Sequence, residues 1–162
     1  MIEVTPATLA WMEALIEGDR VFTERFGIPV VPGWAGFPEA VSVALDGVRS
    51  SASGVWGTHL FFDNGELVGF GGWKGPPHEG SVELGYAVAP ARQGRGIATA
   101  VVRELVARAG TAGVGVVVAH TLPDESASTT VLHRCGFARV GDVLDPDAGL
   151  VWRFELALTA CG

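Results

Sequence analysis

The chain has 162 residues, of which 48% are hydrophobic and 18% charged, and a formal net charge of -7. That length fits one domain, residues 1–162, with a sizeable core, and the composition excludes a disordered chain. The acidic balance argues against a nucleic-acid partner and suits a cationic one, such as an amine.

No apolar run reaches the roughly 18 residues that a membrane span needs, and the N-terminus lacks a signal-peptide pattern. No membrane partner is expected, and the expected location is cytoplasmic. The two cysteines, Cys135 and Cys161, read as free thiols. His59, His78 and His120 have no metal-ligand spacing, so no metal is expected.

Met1–Val4 reads as a short first strand. Thr5-Pro6 then looks like an N-cap followed by proline at the first helical position. Leu9, Met12, Leu15 and Ile16 form the apolar stripe of that helix, and Gly18 closes it. Asp19–Phe26 is a second short helical piece. Gly27–Pro38 is a Gly/Pro loop carrying Trp34 and Phe37, and Glu39–Val48 has a helical pattern. Arg49–Gly57 reads as irregular. His59–Asp63 and Glu66–Lys74 are expected as strands joined through Asn64-Gly65, a strong hairpin signal.

Ser81–Val88 is the next strand, with Val82, Leu84, Tyr86 and Val88 alternating with Glu83, Gly85 and Ala87. Pro90 ends it, and from Ile97 the apolar period becomes helical. Between them runs Arg92-Gln93-Gly94-Arg95-Gly96. Two glycines ahead of a helix N-terminus, whose first N–H groups have no internal partner, make a cradle for phosphate or pyrophosphate. The Walker pattern is excluded, because no lysine follows Gly96; the dinucleotide fingerprint is excluded too, because its third glycine is absent. Gly113–Thr121 is a buried strand, expected beside Ser81–Val88 through a right-handed crossover. Glu125–Cys135 reads as a helix, and Phe137–Val143 and Leu150–Leu158 as the last strands.

Gln93-x-x-Gly96-x-Ala98, directly after Val88-Ala89-Pro90, resembles motif A of the GNAT N-acetyltransferase superfamily. Ser128 to Phe137, ending in Gly136-Phe137, resembles motif B. Gly71 to Pro77, Glu83-Leu84-Gly85-Tyr86 and Ala119-His120-Thr121-Leu122 are similar to the branch that includes the ribosomal-protein N-terminal acetyltransferases. The resemblance implies an α/β fold. Its mixed, mostly antiparallel sheet would have six to seven strands, be flanked by about four helices and be splayed at a cofactor cleft.

It also implies acetyl-CoA as cosubstrate, no metal, an amine acceptor, and a monomer or homodimer. Tyr86, Ala87 and Val88 would offer backbone groups to the pantetheine arm, with the Val88 N–H as oxyanion donor. Gln93, Gly94, Arg95, Gly96, Ile97, Ala98 and Thr99 would hold the pyrophosphate, with Ser128 also at the cofactor. Arg92 and Arg95 are candidates for added charge. Trp34, Phe37 and Trp73 are candidates for the acceptor pocket.

The chemistry needs positioning, an oxyanion donor and a proton acceptor. Glu83, an acid on an apolar strand, is the candidate base, directly or through water; the alternative is a salt-bridged structural carboxylate. Two residues depart from the family pattern. Glu125 stands where motif B often has asparagine, and Leu132 where many relatives carry a tyrosine that acts as general acid. An unassisted thiolate can leave, because its conjugate acid has a pKa of about 8.5. A catalytically weak acyl-CoA-binding module is the second functional class compatible with these departures.

Overall fold

The computed structural model describes residues 1–36, 38–50, 55–146 and 148–158. In chain order it contains β1 (Ile2–Pro6), α1 (Leu9–Glu17), α2 (Asp19–Phe26), α3 (Pro38–Ser50), β2 (Thr58–Asp63), β3 (Glu66–Trp73) and β4 (Ser81–Val88). There follow α4 (Ile97–Thr111), β5 (Val116–Thr121), α5 (Ala127–Arg134), β6 (Ala138–Asp145) and β7 (Gly149–Ala157). The seven strands form one sheet in the order β1-β2-β3-β4-β5-β7-β6. Among the seven strands only β4 and β5 pair in parallel, and α4 makes the crossover between them. This is the mixed, mostly antiparallel sheet that the resemblance implies, and the described residues hold five α-helices.

Several boundaries differ from the sequence reading, each for a local reason. Thr5-Pro6 does not open α1. Both residues extend β1, an edge strand where proline removes no ladder bond, and Pro6 lies opposite His59. The N-cap is Thr8, whose hydroxyl accepts from the Trp11 N–H at 3.1 Å. Of the expected α1 stripe, Met12 and Leu15 are buried, while Leu9 and Ile16 are each 43% exposed.

α3 runs on to Ser50, past the expected end, and residues 51–54 lie outside the described set. β5 begins at Val116 because Gly113 turns with a φ of 87°. The β2–β3 turn behaves as Asn-Gly predicts, with φ of 50° at Asn64 and 82° at Gly65.

α5 starts at Ala127 rather than at Glu125. Its N-cap is Ser126, in a reciprocal capping box. The Ser126 hydroxyl accepts from the Thr129 N–H, and the Thr129 hydroxyl accepts from the Ser126 N–H at 2.9 Å. Glu125 is thereby left one residue ahead of the cap.

The sheet separates two cores. On one face, Val82, Leu84 and Val88 of β4 and Val117 and Ala119 of β5 pack under Ile97, Val101, Val102 and Leu105 of α4. On the other, Leu60, Phe62 and Leu67 pack under Met12, Leu15 and Phe22, with Trp34, Ala44 and Leu45. A bulge at Phe61/Phe62 makes Val68 the extra residue of β3. Phe70 therefore joins the α1–α3 side while Trp73 faces α4. By alternation Glu83, Gly85 and Ala87 face the α1–α3 side.

Candidate active site

The β4–β5 ladder is short. Its pairs run from Ser81↔Val116 to Leu84↔Ala119 and then stop. Gly85–Val88 of β4 and His120–Thr121 of β5 continue without pairing to each other. β4 stays with β3, through Gly72↔Gly85 to Gly69↔Val88. β5 stays with β7, through His120↔Arg153 and Thr121↔Trp152. The sheet therefore opens at a fork between the two strands.

The antiparallel register decides which backbone groups face that opening. Ala89 N–H donates to Val68 O at 2.8 Å, and Lys74 N–H donates to Glu83 O at 3.0 Å. Both bonds flank wide pairs, Gly69/Val88 and Trp73/Leu84. Tyr86 and Val88 thus turn their backbone groups away from β3, into the opening. The Val88 carbonyl accepts from the Gln93 side-chain amide at 3.2 Å, while its N–H looks into the gap. Ala87 is placed differently from the sequence expectation, since its N–H and C=O point back to β3.

β3 approaches β4 very closely along this stretch. A Cβ on Gly69 would lie 2.3 Å from the Ala87 carbonyl oxygen, and one on Gly71 2.3 Å from that of Gly85. Only glycine allows that approach.

At the end of β4, Pro90–Arg92 make one 3-10 turn, and the chain then folds into the cradle. Gly94 and Gly96 have φ of 77° and 79°, and a Cβ on either would meet no atom within 4 Å, so the loop borders open space. Gly96 caps α4 without a side-chain hydrogen bond. The first helical bond runs from Ala100 N–H to Gly96 O at 3.0 Å. The N–H groups of Ile97, Ala98 and Thr99 therefore lie ahead of the ladder, at the positive end of the helix dipole. Ile97 and Thr99 are buried, so their share in an anion site is through backbone.

The two candidate arginines separate. Arg92 pairs with Glu66 at 3.0 Å and Asp63 at 3.9 Å, which ties the loop to the β2–β3 hairpin. Arg95 is exposed and makes no ion pair among the described residues.

On the α1–α3 side of the fork, Glu83 is doubly engaged. Its Oε2 lies 2.6 Å from Lys74 Nζ and 3.1 Å from His120 Nδ1. Burial pushes the carboxyl up, but Lys74 and His120 together outweigh it and hold it below the usual carboxylate range. Such a group stays ionised and attracts cations, and it is a reluctant proton acceptor. His120 is the residue that the sequence reading passed over. The available signal was its place in Ala119-His120-Thr121-Leu122, and it needed the parallel β4–β5 register to become legible.

The remaining expected residues distribute as follows. Tyr86 sends its hydroxyl to α5, donating to the Ser128 carbonyl at 3.2 Å, and burial pushes its pKa up to about 12. This bond makes Ser128 part of the wall where β4 meets α5. Leu132 is 1% exposed and belongs to the α4-side core.

Trp73 lies on that same side, edge-on to Trp56, and so does not line an acceptor pocket on the Glu83 side. Its position follows from the bulge that flips the β3 faces. Trp34 is buried against Phe70 and donates through its indole N–H to Asp19 at 3.0 Å. With Leu15, Gly36 and Val41 it lines a cavity of about 340 Å³. A Cβ on Gly36 would lie 3.5 Å from the Ala87 side chain, so this loop reaches the fork. Phe37 lies outside the described residues. A larger hollow of about 550 Å³, between β1 and α4, contains none of the groups above.

Among the described residues no His/Cys/Asp/Glu group has the makings of a metal site, and no helix is long and apolar enough to cross a membrane. Cys135 is a free thiol whose pKa is raised by burial.

The fold as a whole is similar to that of solved acetyltransferase structures. The microcin C7 self-immunity acetyltransferase MccE, solved with acetyl-CoA and AMP, superposes with a TM-score of 0.72 at 17% identity, over 96% of this chain and 92% of that one. The ribosomal L7/L12 alpha-N-protein acetyltransferase RimL, solved with coenzyme A, gives 0.74 at 18% identity, over 98% and 95%. The ribosomal-protein-S5-alanine acetyltransferase of Vibrio fischeri gives 0.70 at 15%, over 97% and 93%. At these identities the likeness concerns the fold. No curated protein sequence matches the chain. Residues 8–138 match the family described as acetyltransferase (GNAT) domain, so the chain belongs to the GNAT acetyltransferases.

Proposed function

We propose that this acetyltransferase moves the acetyl group of acetyl-CoA to a primary amine, a small molecule or a peptide N-terminus, by direct attack in a ternary complex. The residues present fit that cosubstrate. The uncapped start of α4 and the open backbone of Gly94–Gly96 suit a pyrophosphate. The outward-turned backbone of Tyr86 and Val88 suits the amide groups of a pantetheine arm. Acetyl-CoA supplies a thioester carbonyl that becomes an oxyanion when attacked.

The observation that carries the reading is the Val88 N–H. It is left free by the wide pair with Gly69 and faces the fork, where a tetrahedral oxyanion needs a donor. Gln93 holds the Val88 carbonyl, in the peptide unit next to the one that carries this N–H. Glu83 supplies the anionic charge that draws a cationic amine to the α1–α3 mouth of the fork, in keeping with the net charge of -7. Its two partners make it a weaker base than the sequence alone suggests. Trp34 and the loop around it supply the apolar part of the acceptor pocket.

The test pairs calorimetric titration of CoA with a thiol-release assay over a panel of polyamines, aminoglycosides and N-terminal peptides. Turnover of at least one amine is expected. CoA binding with no turnover of any amine would instead support a cofactor-binding module without catalysis.

A further inference from the structure

We propose that His120 is the proton acceptor of the reaction and that Glu83 is its positioning partner. The proposal deepens, and rests on, the acetyl-transfer reading. His120 is the first β5 residue beyond the last β4–β5 pair, so it stands at the vertex of the fork. By strand alternation it shares the α1–α3 face with Glu83, whose partner in register is Val118. Its Nδ1 lies 3.1 Å from Glu83 Oε2. An ionised carboxylate only accepts hydrogen bonds, so Nδ1 carries the proton and Nε2 presents a lone pair.

That Nε2 atom is buried and has no hydrogen-bond partner among the described residues. The His120 side chain as a whole is 21% exposed, so the ring lies close under the surface. A buried polar atom without a partner is costly to leave unmade. An amine arriving as an ammonium ion satisfies it.

The step balances. Nε2 takes one proton from the ammonium and becomes imidazolium, and the freed amine lone pair forms the C–N bond at the thioester carbonyl. The C–S bond then breaks, and thiolate leaves with its electron pair. The second nitrogen proton goes to that thiolate, and the imidazolium returns its proton to solvent.

Four charged groups set the field around His120. Lys74, just past β3, and Glu83 on β4 meet at one carboxylate oxygen. On β7, Arg153 lies opposite His120 and is itself paired with Glu155 at 2.8 Å.

The decisive variant is His120→Asn, because the asparagine amide nitrogen falls near the place of Nδ1 and keeps the bond to Glu83 while Nε2 is removed. Turnover should fall roughly 10²–10⁴-fold with the CoA dissociation constant unchanged, and the acidic limb of the pH profile of kcat/KM should vanish. Glu83→Gln should retain that limb and lose only about tenfold, as expected of a group that orients another. His120→Asn with turnover within about threefold of the natural chain overturns the assignment. So does loss of the limb in Glu83→Gln alone. A second measurement needs no variant: nitrogen NMR of the natural chain above neutral pH should find the proton on Nδ1, and a proton on Nε2 overturns the proposal. A natural chain that binds CoA but acetylates no amine removes the acetyl-transfer reading, and this assignment with it.

Discussion

The proposed pyrophosphate cradle and the Glu83–His120–Lys74 cluster flank the same fork but are built differently. The cradle is backbone. Its proposed binding groups are N–H dipoles from one continuous stretch, Gly94 to Thr99. The cluster is side chain, assembled from the end of β3, the middle of β4 and the end of β5, with the residue pair 83 and 120 separated by the whole of α4. A site made of backbone is broken by adding an atom. A site made of side chains is broken by removing one. The two kinds of damage have separate readouts.

The largest effect is expected where an added atom meets the backbone of a neighbouring strand. Gly71→Ala places its Cβ 2.3 Å from the Gly85 oxygen and 2.6 Å from the Tyr86 Cα, so β3 and β4 must part. A loss of about 3 kcal/mol in unfolding free energy is expected, at the upper end for overpacking. Because the displaced strand walls the fork, CoA binding should weaken as well. Chemical denaturation measures the first effect and calorimetry the second. A melting temperature equal to that of the natural chain would mean that β3 and β4 are not held this close.

Gly96→Glu attacks the cradle with little damage to the core, since a Cβ there meets nothing within 4 Å. The left-handed φ of 79° costs an ordinary residue about 1–2 kcal/mol. The new carboxylate would also compete with the proposed diphosphate at a helix start that favours anions. Together these should weaken CoA binding by about 100-fold, or ~2.7 kcal/mol. Arg92→Ala sharpens the comparison. Its guanidinium is spent on Glu66 and Asp63, so the variant should lose some stability and leave CoA affinity within about twofold. Retained CoA affinity in a folded Gly96→Glu chain would remove the pyrophosphate assignment.

The contrast also explains what the sequence could show. The cradle was legible because its signals are local: a strand period, two glycines, then a helical period, all between Ser81 and Thr111. The Asn64-Gly65 hairpin and the strand order around it were legible for the same reason. Glu83 was visible as an acid among apolar residues. Its partners were not, because pairing it with His120 requires knowing that β5 lies parallel to β4 and in which register. Trp73 was misplaced by a related cause. One bulge at Phe61/Phe62 reverses the faces of the second half of β3, and no residue type in that stretch announces it. Thr5-Pro6 carried a helix-start signal that edge-strand pairing overrode.

A second histidine gives a control for His120. His59 on β2 is 2% exposed, and its Nδ1 lies 3.0 Å from the Gly57 carbonyl oxygen. Burial lowers its pKa, the Gly57 carbonyl opposes this, and Arg108 adds to the lowering. In the folded chain His59 therefore stays unprotonated at a pH where the unfolded chain, with an ordinary imidazole at about 6.5, has bound a proton there. The stability tied to His59 is complete above that value and is lost as pH falls towards the folded pKa. Thermal unfolding followed from pH 7.5 downward should show a falling melting temperature, and His59→Asn, which keeps a donor for Gly57, should flatten that slope. His120→Asn should leave the slope in place while altering the pH–rate profile. The same slope in the natural chain and in His59→Asn would show that other groups carry the acid sensitivity.

The smallest effect is expected at Glu125, the clearest departure from the family pattern. Its position ahead of α5 suggests a carboxylate that caps the helix. The cap is instead Ser126, closed reciprocally with Thr129. Glu125 Oε2 accepts from the Thr129 hydroxyl at 3.1 Å, and Thr129 is fully buried. That hydroxyl also lies 2.9 Å from the Ser126 carbonyl oxygen, so its proton has a second acceptor when Glu125 is replaced. Glu125→Asn therefore removes one of two alternative acceptors and one negative charge near a helix start. The first change is nearly neutral, and the second is worth a few tenths of a kcal/mol at most on an exposed site. A stability change below about 0.5 kcal/mol is expected, with the CoA dissociation constant and the amine KM both unmoved. Tighter CoA binding, by up to about 1 kcal/mol, would mean that the introduced amide donates to the cofactor. A raised amine KM would mean that the Glu125 charge, with that of Glu83, helps gather the cationic acceptor. Because Glu125 is already engaged by Thr129 and lies outside the cap, unmoved constants are the outcome that its hydrogen bonds favour.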